Sequence, residues 1–230
     1  MTLFAGELLE VAPKDPASVA VVGGYIVVPD ANLGGAGLMP NGSFAVLDLS
    51  TESARAFTGI ASAPGIASGS CVAAAGYAWT TNIKNASMFR INPVTGSVTT
   101  IGLPGSGVTN IAKVAATTSS IIVIGWGPSN RVLAVDTATL TATLLSTAAH
   151  GVTHPPVSDG TTLHYSDGTN YRQMDPATGS TTTIGAFGGP SPTLGSRGFI
   201  SGSTWGFHTG DGVASKLIVP PYSYTHYSLT

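Results

Sequence analysis

Four stretches of this chain repeat one another: FAVLDLSTESARAF (44–57), MFRINPVTGSVTTIG (88–102), RVLAVDTATLTATLL (131–145) and YRQMDPATGSTTTIG (171–185). Each reads as an apolar strand, an Asp or Asn, a short Thr/Gly/Ser turn and a Thr-rich strand. The Asx positions are Asp48, Asn92, Asp136 and Asp175, spaced by 44, 44 and 39 residues. A degraded fifth copy, KLIVPPYSYTHYSL (216–229), places Val219 a further 44 residues on. Repeats of this length mark the blades of a propeller. The anchor has a local reason: an Asx side chain accepts from backbone N–H groups just beyond it and closes a turn. Pro93 and Pro176 preset φ for that turn, and Gly96 and Gly179 supply the positive φ before the next strand. A structural reading of Asp48, Asp136 and Asp175 is therefore preferred to carboxylate chemistry.

Two further strand candidates precede each anchor. The first set is 17–24, 69–76, 111–118, 154–160 and 196–202; the second is 25–31, 77–83, 121–127, 162–168 and 204–210. Gly or short polar turns separate the sets, as hairpins require. The first set is rich in Ala, Gly, Ser and Val, suited to the crowded centre of a ring. The second carries Trp79, Trp126, Trp205, Tyr25, Tyr77, Tyr165 and Phe207, as expected of middle strands covered on both faces. The expected fold is all-β: a five-bladed β-propeller of four-stranded antiparallel blades over 1–230. The blades run approximately 14–60, 61–104, 105–150, 151–190 and 191–230, with 1–13 an N-terminal extension. A parallel β-solenoid is the rival, but its coils are usually shorter and need no paired hairpins.

Composition agrees with face-to-face packing. Hydrophobic residues make up 43% and charged residues 9%, which excludes a disordered chain. Thirty Gly and fifteen Pro fit many tight turns. Nine Lys plus Arg and a net charge of −2 supply no basic face, so neither nucleic acid nor an anionic membrane is an expected partner. The start MTLFAGELLEVAPKD lacks the basic and long apolar regions of a secretory signal. No apolar run approaches a membrane-spanning length, so no membrane insertion is expected. The single cysteine, Cys71, reads as a small core residue.

The search for chemistry finds no motif. Asp159 and Asp167 precede Gly in turns. Asp30 and Asp211 read as solvated loop acids. The histidines His150, His154, His164, His208 and His226 show no metal-ligand spacing. No nucleophile elbow occurs, and GLPGSG (102–107) lacks the Lys of a phosphate loop. No catalytic, metal or cofactor-binding residue is assigned, and the chain is expected not to be an enzyme. Two departures from the repeat remain. DANLGGAGLMPNGS (30–43) inserts Leu33, Leu38 and Met39 into a glycine-rich loop, which either covers its own blade or contacts a partner. TLFAGELLEVAP (2–13) brings Leu3, Phe4, Leu8 and Leu9, and either adds an outer strand beside the C-terminal one or pairs with a neighbouring protein. These seven apolar residues are the candidate partner contacts.

INPVTGSVTTIG and MDPATGSTTTIG resemble the loose xDPxTG-type blades of many bacterial and phage propellers, without the WD and GH signals of WD40 blades. Together with the Ala/Gly/Thr-rich, Lys-poor composition, the chain resembles an actinobacteriophage virion component such as a minor tail protein. That resemblance implies a structural or binding protein of the virion, acting in assembly or host attachment. Its partners would be other virion proteins, copies of itself or a host cell-surface glycan. A carbohydrate-binding propeller lectin is the alternative.

Overall fold

The computed structural model describes residues 19–29, 43–58, 60, 71–82, 87–104, 113–126, 131–147, 156–167 and 169–186. Strands 197–201, 204–208, 214–219 and 223–228 are described as backbone alone. The first sheet comprises β1 (Ala20–Val22), β2 (Tyr25–Pro29), β3 (Ser43–Asp48) and β4 (Ser53–Thr58). The second holds β5 (Cys71–Ala74), β6 (Tyr77–Asn82), β7 (Ser87–Ile91) and β8 (Val98–Gly102). The third holds β9 (Lys113–Ala116), β10 (Ser120–Trp126), β11 (Arg131–Asp136) and β12 (Ala142–Ser146). The fourth holds β13 (Val157–Ser158), β14 (Leu163–Ser166), β15 (Asn170–Met174) and β16 (Thr181–Ala186). Backbone pairing defines a further sheet from β17 (Arg197–Ser201), β18 (Thr204–His208), β19 (Ala214–Val219) and β20 (Ser223–Ser228). Each sheet is an antiparallel meander in chain order, and among the described residues no strand pairing passes between sheets. That pattern is the propeller's, not the solenoid's. No helix among the described residues is long and apolar enough to cross a membrane.

The anchors act as read from the sequence. Asp48 Oδ1 accepts from the N–H of Ser50 at 2.9 Å, Asn92 Oδ1 from Val94 at 2.9 Å, Asp136 Oδ1 from Ala138 at 2.9 Å and Asp175 Oδ1 from Ala177 at 2.8 Å. Hydrogen bonds to Ser50 and Thr139 hold the Asp48 and Asp136 carboxyls below their ordinary pKa. Gly96 and Gly179 have φ of +72° and +71° four residues after the anchor. Glu52 and Leu140 occupy the same place in the first and third sheets at φ 55° and 61°, so two copies carry the strain that glycine relieves elsewhere.

Among the described residues, alternating side chains build three apolar interfaces between successive sheets. Ala20, Val22, Val27, Phe44 and Val46 meet Cys71, Ala78, Phe89 and Ile91 between the first and second. Trp79, Met88, Ile101 and Leu103 meet Val114, Ile121, Val123, Leu133 and Val135 between the second and third. Ala115, Ile122, Ile124 and Val132 meet Leu163, Tyr165 and Met174 between the third and fourth. Cys71 is buried, and burial pushes its thiol up to about 12, so it stays protonated. The first strands β1, β5, β9, β13 and β17 touch in series. Polar ties add to the packing: Arg55 donates to the carbonyls of Pro93 and Val94 at 3.3 and 3.2 Å, and Thr118 Oγ1 to that of Gly160 at 3.0 Å. Leu33, Leu38, Met39, Leu3, Phe4, Leu8 and Leu9 lie outside the described residues.

Candidate functional site

Counting back two residues from each anchor gives a row of equivalent positions. Across the sheet, Val46 pairs with Val27, Arg90 with Trp79, Ala134 with Ile122, and Gln173 with His164. In the first three sheets this row turns toward the sheet that follows. In the first three, the β2-type member is fully buried and apolar: Val27, Trp79 and Ile122 are each 0% exposed. Arg90 is the exception on the β3-type side, and its guanidinium lies over the Tyr77 ring at 4.5 Å, a cation–π contact. Among the four sheets whose side chains are described, only the fourth has two polar members. The apolar row ends at His164 and Gln173.

A groove of about 240 Å³ opens on this face, lined by Thr161, Thr162, Gln173, Asp175, Ser180 and Thr182. Register explains the set. Thr162 shares a face with His164, Asp175 with Gln173, and Ser180 with Thr182, which pairs with Gln173. Thr161 belongs to the first hairpin, and Asp175 and Ser180 to the third. An antiparallel meander puts both hairpins at one end of the sheet, so the groove sits at that end with His164 beside it. The His164 side chain is 9% exposed, and its Nε2 lies 3.9 Å from Asp159 Oδ2, too far for a hydrogen bond. Burial lowers the His164 pKa, with the Asp159 charge opposing, so the imidazole is neutral near pH 7. Burial alone would raise Asp159. Hydrogen bonds from the N–H groups of Thr161 and Thr162, at 2.8 and 2.7 Å, and from the Thr161 hydroxyl at 2.8 Å outweigh it. Asp159 is therefore a turn residue, as the sequence suggests, and also the anion beside His164.

Among the described residues the lining offers hydroxyls, one carboxamide and one carboxylate. Among the described residues no cation lines it: Arg172, on the opposite face of the sheet, is held by Asp167. Asp167 sits below its ordinary pKa because hydrogen bonds from Asn170, Arg172 and Thr169 overcome burial. Such a groove repels anions and suits a neutral ligand rich in hydroxyl groups. Its volume is below the roughly 300–1,000 Å³ of pockets for drug-sized molecules, which sets the scale at one ring-sized group. Among the described residues, no three His, Cys, Asp or Glu side chains gather as metal ligands would.

The buried neutral His164 has a consequence for stability. Its folded-state pKa lies below the ordinary 6.5, so the unfolded chain binds more protons between the two values. Stability is complete above about 6.5 and falls as pH drops from there toward the folded pKa. Urea midpoints measured from pH 7.5 to 5 are expected to decline in the wild type, and His164→Leu is expected to flatten that decline. An equal slope in both proteins contradicts the assignment.

The fold now defines the class, an all-β protein of β-propeller type, and solved structures of that shape resemble the chain along nearly its whole length. A virginiamycin B lyase from Staphylococcus aureus matches with a TM-score of 0.68 at 12% identity, over 92% of this chain and 69% of that one. A streptogramin B lyase matches with a TM-score of 0.69 at 13% identity, over 96% and 72%. A catalytically inactive histidine-to-alanine variant of the Staphylococcus lyase, solved with quinupristin, matches at 0.66 and 13%, over 91% and 68%. No family model and no curated protein matches the sequence. The likeness at these identities establishes the fold. It also corrects one expectation: the inference that the chain is not an enzyme does not stand, because this architecture carries lyases. None of these neighbours is described as a virion protein.

Proposed function

We propose that the chain is a five-bladed β-propeller that binds a neutral, hydroxyl-rich ligand, a carbohydrate, in the groove of its fourth blade. We further propose that it does so as a virion component contacting the host surface. The observation that carries the binding reading is the change of the row Val27, Trp79, Ile122 to His164, with Gln173 opposite it. A groove beside these polar groups gives a ligand access to their polarity. The virion part rests on the resemblance of the INPVTGSVTTIG and MDPATGSTTTIG blades alone. The five-blade count rests on the five sequence copies and their matching meanders.

A glycan array followed by titration calorimetry tests the binding. The expected result is saturable binding of a neutral glycan, weakened about two- to tenfold by Gln173→Ala, since a ligand hydroxyl then loses one hydrogen bond worth about 0.5–1.5 kcal/mol. Absence of binding across the array, or unchanged affinity in Gln173→Ala, overturns the reading. Mass spectrometry of the same mixtures shows whether the bound compound is converted. Conversion that His164→Ala abolishes identifies the groove as catalytic.

A further inference from the structure

The seam between the second and third sheets turns polar at the end of the blades opposite the groove. That end is where β6 passes to β7 and β10 to β11. Thr81 stands one residue from the end of β6 and pairs with Met88, and Arg131 opens β11 and pairs with Trp126. Alternation puts Thr81 on the face of Trp79, and Arg131 on that of Leu133 and Val135, so both side chains enter the seam those residues fill. Met88 lies four residues before its anchor and Arg131 five before its own, so Thr81 and Arg131 occupy adjacent levels of that seam. Their equivalents differ in kind. Pro29, Ile124 and Ser166 stand at the place of Thr81, and Ser43, Ser87 and Asn170 at that of Arg131. Thr81 is 0% exposed, yet its Oγ1 has no hydrogen-bond partner, and the buried Nε of Arg131 has none either. An unpaired buried donor carries its full desolvation cost, so two of them in one seam point to a guest that accepts from both. Among the described residues no carboxylate answers Arg131. Asp48, Glu52, Asp136, Asp159 and Asp175 stand at the other end of the blades, and Asp167 is held by Arg172. The connections 83–86 and 127–130 contain no Asp or Glu.

We propose that this end of the seam binds a small oxyanion, a carboxylate or phosphate group, between Arg131 and Thr81. The guanidinium supplies a charge and a planar fork of N–H donors that fits either group. The Thr81 hydroxyl donates to the same anion and so gains the partner it lacks. Arg131 is partly exposed, so the anion meets it from solvent, while the burial of Thr81 confines the guest to the size of the oxyanion itself. A water molecule would answer the hydrogen bonds but leave the guanidinium charge uncompensated beside an apolar seam. The site goes beyond the groove of the fourth blade and is independent of it: no cation lines the groove among the described residues, and it repels the anions that Arg131 attracts.

Nuclear magnetic resonance of the isotope-labelled full chain tests this through the Nε–H signal of Arg131, identified by its absence in Arg131→Lys. Sodium phosphate and sodium acetate are titrated separately at constant ionic strength, with sodium chloride as the control. The expected result is a saturable shift with phosphate, acetate or both, and none with chloride; the tighter of the two names the class of anion. Thr81→Val keeps the shape of the side chain and removes its hydroxyl. It is expected to weaken binding about tenfold or more, the loss of one hydrogen bond to a charged group, while Thr81→Ser, which keeps the hydroxyl, binds as the wild type does. A signal that neither anion moves, or that chloride moves equally, overturns the proposal and leaves water as the occupant. Equal affinity in Thr81→Val, or an equal loss in Thr81→Ser, also overturns it, since the hydroxyl then plays no part.

Discussion

Trp79→Ala is expected to cost about 3–5 kcal/mol of folding stability, the range for emptying a large aromatic site in a core. Trp79 is 0% exposed and sits between the second and third sheets with Met88, Val123 and Leu133. Its Nε1–H donates to the Ala74 carbonyl at 3.0 Å, so the indole also satisfies a backbone group on the neighbouring strand. The substitution removes the dispersion contacts, opens a cavity and leaves that carbonyl short of a donor. A sheet cannot collapse inward to fill the space, because its position is set by strand pairing on both sides of Trp79. Urea denaturation gives the measurement. Trp79→Phe keeps most of the volume and loses the donor, and is expected to fall well short of the alanine cost. A loss below about 1 kcal/mol for Trp79→Ala would show that the second and third sheets are not a single packed unit.

The features visible in the sequence are those decided within a few residues. The Asp48, Asn92, Asp136 and Asp175 turns close on their own backbone, so their spacing announced the repeat. The placement of Trp79 in a middle strand followed from its hairpin. The groove was hidden for the opposite reason. His164 looks unremarkable in TLHYSDG and gains meaning only against Val27, Trp79 and Ile122, residues of other blades. A register count would have found it, since the residue two before each anchor reads Val46, Arg90, Ala134 and Gln173. Asp159 was readable as a turn residue, but its approach to His164 depends on how the hairpin folds over. Glu52 and Leu140 at positive φ were equally hidden, because the glycine of the other copies gives no sign that the turn is kept without it.

The turn glycines give the second large effect. Gly96→Ala is expected to destabilise the protein by about 2–5 kcal/mol, far more than alanine at a comparable turn. Two costs combine. Gly96 has φ +72°, a left-handed conformation that costs an L-residue roughly 1–2 kcal/mol. A Cβ built there would also fall 2.1 Å from Cε1 of Phe57, an overlap that something must relieve, at about 1–3 kcal/mol for an overpacked site. The Phe57 ring is poorly placed to yield. It stacks on Phe44 with centroids 5.3 Å apart, and the Arg55 guanidinium lies 5.2 Å from its centre. Arg55 in turn holds the Pro93 and Val94 carbonyls of the same turn. Displacing Phe57 therefore loosens the outer seam between the first and second sheets. Gly76→Ala is the control: its φ is +78°, but nothing lies within 4 Å of the added carbon, so only the backbone cost applies. A double-mutant cycle separates the terms. In a Phe57→Ala background, Gly96→Ala is expected to fall to the cost seen at Gly76. Additive losses at Gly96 and Phe57 would mean that the seam accommodates the methyl group without moving the ring.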